Sequence, residues 1–183
     1  MAATAPARQP NVNENTIDEF GVAVHEVGHG LTCVSLLGPE FCTELSIVPD
    51  RNSLGFMVQG KRGPLVTDIA IFFGGGIAEH RFDPSVYGYR SIEWDAQMVA
   101  GRLNADPLRI QTAMHGLIVS QKAPDIHAGV LLEGYSLATS ILEQRWDEVL
   151  RLAKHLCEMK VMKTWDIWQH FESEMYDLRG VAV

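Results

Sequence analysis

His25-Glu26-Val27-Gly28-His29 forms an HExxH pattern. On a helix, two histidines four residues apart project from one face and can share one metal ion. At about 100° per residue Glu26 lies between the two histidine directions, where its carboxylate reaches a water beside the metal rather than the metal itself. The chemistry this supports is that of a zinc hydrolase. With 7 His and 13 Glu in 183 residues, the pattern arises by chance roughly 0.02 times per chain. The competing reading is a pair of solvated surface histidines, because His25 and His29 point roughly 130–170° away from the apolar stripe of their own helix.

Hydrolytic zinc takes three protein ligands and keeps one position open for water, so a third His, Asp or Glu must come from another element. A metzincin arrangement needs a histidine six residues beyond His29, where the chain has Ser35, and is excluded. A downstream Glu or Asp stays open. His80, His115, His127, His155 and His170 have no partner at ligand spacing and read as surface or satisfied core residues. Cys33, one residue off the His29 face, reads as a small packed side chain.

The elements that must hold these residues follow from periodicity. Thr16 and Glu19 have capping-box spacing, and Gly38-Pro39 stops the helix that begins there. Along it Ile17, Phe20, Val24, Val27, Leu31 and Val34 make one apolar stripe. From Phe41 the period becomes two: Thr43, Leu45 and Ile47 alternate with Glu44 and Ser46, a strand. Pro49 to Asn52 turns the chain, and Leu54 to Gln59 returns as a second strand in which Gly55 marks a bulge or a close backbone approach. The rest reads helical, with starts near Pro64, Ser91 and Pro107. Leu131, Ala138, Leu142, Val149, Leu152 and Leu156 share helical spacing in one long carboxy-terminal stretch, and Thr164 is placed to cap a last helix through Tyr176. Trp165, Trp168 and Phe171 there read as core or subunit contact. The fold class expected is mostly α with a small antiparallel hairpin (α+β).

Composition narrows the function classes. A chain of 183 residues with 46% hydrophobic and 21% charged residues fits one globular domain, here residues 14–183 behind a flexible tail at 1–13. Fifteen basic against twenty-three acidic side chains give a net charge of −8, which repels phosphate backbones and anionic lipid headgroups. Neither nucleic acid nor a membrane is an expected partner. Cys33, Cys42 and Cys157 form no CxxC pair, which suits a reducing, cytoplasmic location. The amino terminus lacks the apolar core of a signal peptide, and no span of about twenty apolar residues is apparent; the closest run, Ile69 to Ala78, is interrupted by three glycines.

The segments HEVGHG, SIVPDRNSLGFMVQ, FGGGIAEHRF and SIEWDAQMVAGRL, in that order, resemble the peptidase domain of the FtsH family, ATP-dependent zinc proteases of the M41 type. The stretch GYSLATSILEQRWDEVLRLAKHLCEMKVM resembles the long helical segment that closes that domain. The resemblance implies a zincin-like fold, Zn2+ as cofactor, His25, His29 and Asp95 as metal ligands, and Glu26 as the catalytic base. Glu93 competes with Asp95 from two residues away. Gly74, Gly75, Gly76, Ala78 and Glu79 match the family's second-helix motif, with Gly76 standing where Arg is usual and Ile77 where a small residue is usual. Small residues there permit close packing against the metal helix, and Glu79 either orients a histidine ligand or balances local charge. The family's membrane anchor and AAA ATPase module have no room here, and no Walker A motif is present. The expected activity is therefore that of a soluble metallopeptidase acting on peptides or unfolded proteins, with room for a homo-oligomer and for a separate ATPase. The rival is a catalytically idle FtsH-peptidase-like module that keeps the fold for binding or assembly.

Overall fold

The computed structural model describes residues 18–51, 53–85, 90–120, 127–167 and 169. The tail expected over 1–13, Thr16, Ile17, Asn52, the side chain of Ser91, Trp168, His170, Phe171 and the last helix beyond Gln169 lie outside the described residues.

Helix α1, Glu19–Leu37, begins where Asp18 accepts the Phe20 N–H (3.2 Å). Asp18 is thus the cap, two residues beyond the expected Thr16, and Glu19 pairs with Lys160. The helix ends at Gly38, whose φ of +110° suits a residue without a Cβ and whose N–H donates to the Val34 carbonyl (2.9 Å). Val24, Val27, Leu31 and Val34 are buried as their spacing predicts, but so are Glu26, Gly28, His29 and Thr32 on the other sides. α1 is a central helix, covered all round over its middle.

A turn of 3-10 helix, Pro39–Phe41, leads to β1, Cys42–Ser46, which pairs antiparallel with β2, Phe56–Gln59, with Leu45 opposite Met57. The irregularity in this ladder lies in β1, between Cys42 and Glu44, and not at Gly55. Helices α2 (Leu65–Phe82), α3 (Arg90–Leu103), α4 (Pro107–Ser120), α5 (Ala128–Gln144) and α6 (Trp146–Met159) follow, then β3 (Val161–Lys163). β3 joins the free side of β1, so the sheet has three antiparallel strands in the order β2-β1-β3. Three residues are too short a run to show a period of two, so this strand has no signature in the sequence. The class is α+β, mostly helical.

The long carboxy-terminal stretch is two helices. The break falls at Arg145 (φ −116°, ψ 27°), whose guanidinium donates to Glu148 (2.6 and 2.7 Å) and to Ser35 of α1 (2.7 Å). Leu131 and Ala138 accordingly join a core made by α2, α3, α4 and α5, while Leu142, Val149, Leu152 and Leu156 join one made by α1, β1, α6 and β3. Thr164 does not cap by its side chain; its hydroxyl donates to the Thr43 carbonyl (3.2 Å).

Among the described helices α1 is long and apolar enough, by length and composition, to cross a membrane (19 residues, mean hydropathy 1.3). That corrects the expectation that no such span occurs. The apolarity has a local reason: 61% of the stretch is buried inside the protein, between the sheet and α6 on one side and α2 on the other.

The α1–α2 crossing is backbone against backbone. A Cβ on Gly28 would stand 2.4 Å from the Gly74 carbonyl oxygen and 2.6 Å from the Ala78 Cβ, and a Cβ on Gly74 would stand 2.6 Å from the Gly28 oxygen. No side chain fits between the two helices at this level. Gly28→Ala should therefore destabilise the protein by about 1–3 kcal/mol through overpacking, read from the shift in denaturant midpoint; an unchanged midpoint would mean that the helices separate at no cost.

Candidate metal centre

The α1 face that meets α2 carries both histidines of the HExxH pattern. Their Nε2 atoms stand 3.0 Å apart. His25 Nδ1 lies 3.0 Å from the Glu79 carboxylate on α2, and His29 Nδ1 lies 2.6 Å from the Ile71 carbonyl, also on α2. The Ile71 carbonyl only accepts, so the 2.6 Å contact calls for a proton on His29 Nδ1, although the Gly75 N–H also points at that nitrogen from 3.2 Å; an ionised Glu79 likewise accepts from His25 Nδ1, and each Nε2 is turned toward the other ring. This removes the reading of two solvated surface histidines: His29 is 4% exposed, and the His25 side chain 16%. Of the two roles open to Glu79, the geometry selects the orientation of His25. Gly75 has its own part, since a Cβ there would meet the His29 ring at 2.3 Å; glycine lets the imidazole lie flat on α2.

Glu26 and Asp95 are buried beside this pair. Glu26 is 6% exposed and faces the segment before β2, where a Cβ on Gly55 would come within 2.9 Å of its carboxylate and 2.7 Å of the Ser46 carbonyl. Gly55 is thus the close approach that the sequence left as one of two options. Asp95, on the second turn of α3, is fully buried, and neither of its carboxylate oxygens has a hydrogen-bond partner among the described residues. Glu93 is exposed. Trp94, between them, tilts its ring over His29 (5.9 Å between centroids) while remaining half exposed; nothing in its sequence context marks it. Among the described residues no three His, Cys, Asp or Glu side chains meet at ligating distance of one point. What converges is two imidazoles, with Asp95 in their field.

Burial and mutual charge set the protonation of the cluster. Burial pulls His25 down, but the hydrogen bond to Glu79 and the charges of Glu26, Asp95 and Glu79 outweigh it and raise its pKa to about 9. Burial and the neighbouring His25 charge lower His29 to about 3, against the Ile71 hydrogen bond. Burial raises Glu26 to about 7 and Asp95 to about 8, opposed in both cases by His25. Without a metal, His25 therefore holds a proton that it shares toward His29 Nε2.

These residues fit a zinc ion. Two imidazole nitrogens on one tetrahedral zinc stand about 3.3 Å apart, close to the 3.0 Å separation found. Both outer ring nitrogens are already tied to a carboxylate and a carbonyl, the supports that metal-bound histidines need. Asp95 supplies a buried carboxylate with both oxygens unspent, a costly state that a cation relieves. No known protein family and no curated protein matches the chain.

Metal analysis should find about one zinc per chain, lost in His25→Ala and in His29→Ala, because two remaining ligands hold zinc poorly. Asp95→Asn should weaken zinc severely and Glu93→Gln should leave it nearly unchanged; the reverse result would move the third ligand to the exposed side of α3.

Zinc affinity should also rise with pH. His25 must release a proton held up to about 9, and Asp95 one held up to about 8, so binding expels protons that the metal-free protein retains at neutral pH. Above His29's low pKa that ring is already neutral and adds nothing. Between pH 6 and 8 the affinity should tighten by about tenfold or more per unit, measured by competition with a chromophoric chelator. An affinity flat across this window would contradict the protonation pattern.

Proposed function

We propose that the chain is a soluble zinc metalloendopeptidase of the FtsH peptidase type, with a zincin-like fold, that hydrolyses peptide bonds in peptides or unfolded proteins. The observation that carries this reading is the 3.0 Å convergence of His25 and His29 Nε2 with each Nδ1 anchored on α2, beside a buried glutamate one residue along the same helix. When bound, zinc supplies a Lewis acid for the scissile carbonyl and a water whose pKa is about 7. His25, His29 and Asp95 would hold the ion. Glu79 fixes the His25 ring and the Ile71 carbonyl fixes the His29 ring, so neither has to be ordered when substrate arrives.

Glu26 is the general base. Burial has raised its pKa to about 7, near the value at which a carboxylate both exists in its basic form at neutral pH and holds a proton well once it has taken one. It accepts the proton of the attacking water at a carboxylate oxygen and delivers it to the amine that leaves. The Gly55 backbone beside it leaves its carboxylate room, which any Cβ at that position would take. A net charge of −8 argues against a nucleic-acid substrate. An exposed peptide bond, as in a flexible or unfolded chain, is the substrate class that needs no unfolding machinery of its own.

The test is Glu26→Gln assayed with a permanently unfolded protein substrate. An amide cannot accept the proton, so hydrolysis should fall by about 10²–10⁴-fold with zinc content and melting temperature unchanged. Equal activity in the variant would overturn the mechanism. Zinc bound by the wild type without any hydrolysis would replace this reading with that of an idle binding or assembly module.

A further inference from the structure

α3 delivers Asp95 to the histidines, and it does so from a position set by its packing on α2 and α4. The inner face of α3 is Ile92, Asp95, Ala96, Val99, Ala100 and Leu103, all buried. Apart from Asp95 these side chains are apolar and make no polar tie between α3 and α2. A charged contact lies further along the helix, without hydrogen-bond geometry: neither Asp68 Oδ2 nor Arg102 Nε has a hydrogen-bond partner among the described residues. There Arg102 forms an ion pair with Asp68, in the first turn of α2.

Asp68 is fully buried, an expensive place for a carboxylate unless donors surround it. Its Oδ1 accepts from the Gly63 N–H (2.8 Å) and from Gln59 Nε2 (3.1 Å), and Arg62 approaches its Oδ2 to 3.8 Å. Gln59 is the last residue of β2, the strand whose approach passes Gly55 and Glu26. One buried carboxylate thus ties the strand beside the base and the helix that carries Asp95 to the helix that holds the histidine supports.

We propose that the Asp68–Arg102 ion pair is a positioning device for the metal centre, setting the axial register of α3 on α2 so that Asp95 stays buried in the field of His25 and His29. Arg102 follows Asp95 by seven residues, two turns or about 10.5 Å along one face. A slide of even 1 Å exceeds the roughly 0.2 Å tolerance of a zinc–ligand bond. Neither member of the pair touches the metal; both act through Asp95. The inference rests on His25, His29 and Asp95 being the ligands.

A double-mutant cycle on zinc affinity in the full chain, read by chelator competition, tests it. Arg102→Gln should weaken zinc by about 10–100-fold, the range of supporting residues around a metal. In an Asp95→Asn background the same change should alter affinity by less than about twofold, because the ligand that Arg102 positions is already gone. Arg102→Lys keeps the charge and should recover part of the loss; if Arg102→Gln does not fold, the Lys variant carries the cycle. An equal loss in both backgrounds, or a lower melting temperature with unchanged zinc affinity, would overturn the proposal by making the pair a purely structural clasp. A wild type that binds no zinc would instead refute the ligand assignment, a result distinct from wild-type binding with no effect of Arg102.

Discussion

The contact of Gly28 with Gly74 determines the geometry of everything around it. Because a Cβ on either glycine would collide with the other's carbonyl, α1 and α2 approach closely at this level. Ordinary side chains are then long enough to cross from one to the other. Glu79 reaches His25, and the carbonyl of Ile71 reaches His29 without any side chain at all. A carbonyl in a helix is normally committed to its own ladder and points along the axis, so only a ring pressed against the helix surface can use it. The absence of a Cβ at Gly75 supplies that surface. A glycine mid-helix carries a propensity cost of about 1 kcal/mol relative to alanine, and the helix crossing at Gly74 and the His29 ring at Gly75 explain why it is borne at those two positions.

The second constraint is electrostatic. His25, Glu26, Glu79 and Asp95 crowd a volume from which water is largely excluded. Burial disfavours each charge, and the partners return some of that loss only because positive and negative groups alternate. Three carboxyl groups face one protonated imidazole, and burial keeps a proton on Asp95 and in part on Glu26 that a cation would displace. A divalent cation is the natural complement of such a centre, where neither Asp95 oxygen has a hydrogen-bond partner among the described residues.

Much of this was legible in the sequence, for identifiable reasons. HExxH is a local pattern, and the helical period turns spacing into direction. The glycine run and Glu79 were readable as a packing surface with a carboxylate one turn beyond. Asp95 and Glu93 were not separable by type or spacing, since both lie in one short helix; burial of the first and exposure of the second distinguish them. The Ile71 carbonyl has no signature because every residue has one. Asp68 and Arg102 are 34 positions apart, and neither sits in a pattern that names the other. The break at Arg145 escaped because no Gly or Pro marks it; a guanidinium bridging Glu148 and Ser35 ends α5 there, and such a contact exists only once α1 is in place.

The packing of α1 has a consequence for how the protein comes into being. The far side of this helix is closed by Val149, Leu152 and Leu156 of α6 and by Met162 of β3, residues more than a hundred positions further along the chain. Contacts of such long sequence separation form late and as a group. The supports of the two imidazoles lie much nearer in sequence, on α2. The two flanks of α1 thus belong to different stretches of the chain: one is held by the helix that follows the hairpin, the other by the far end of the described fold. Removing α6 or β3 would bare an apolar flank on the helix that bears both histidines.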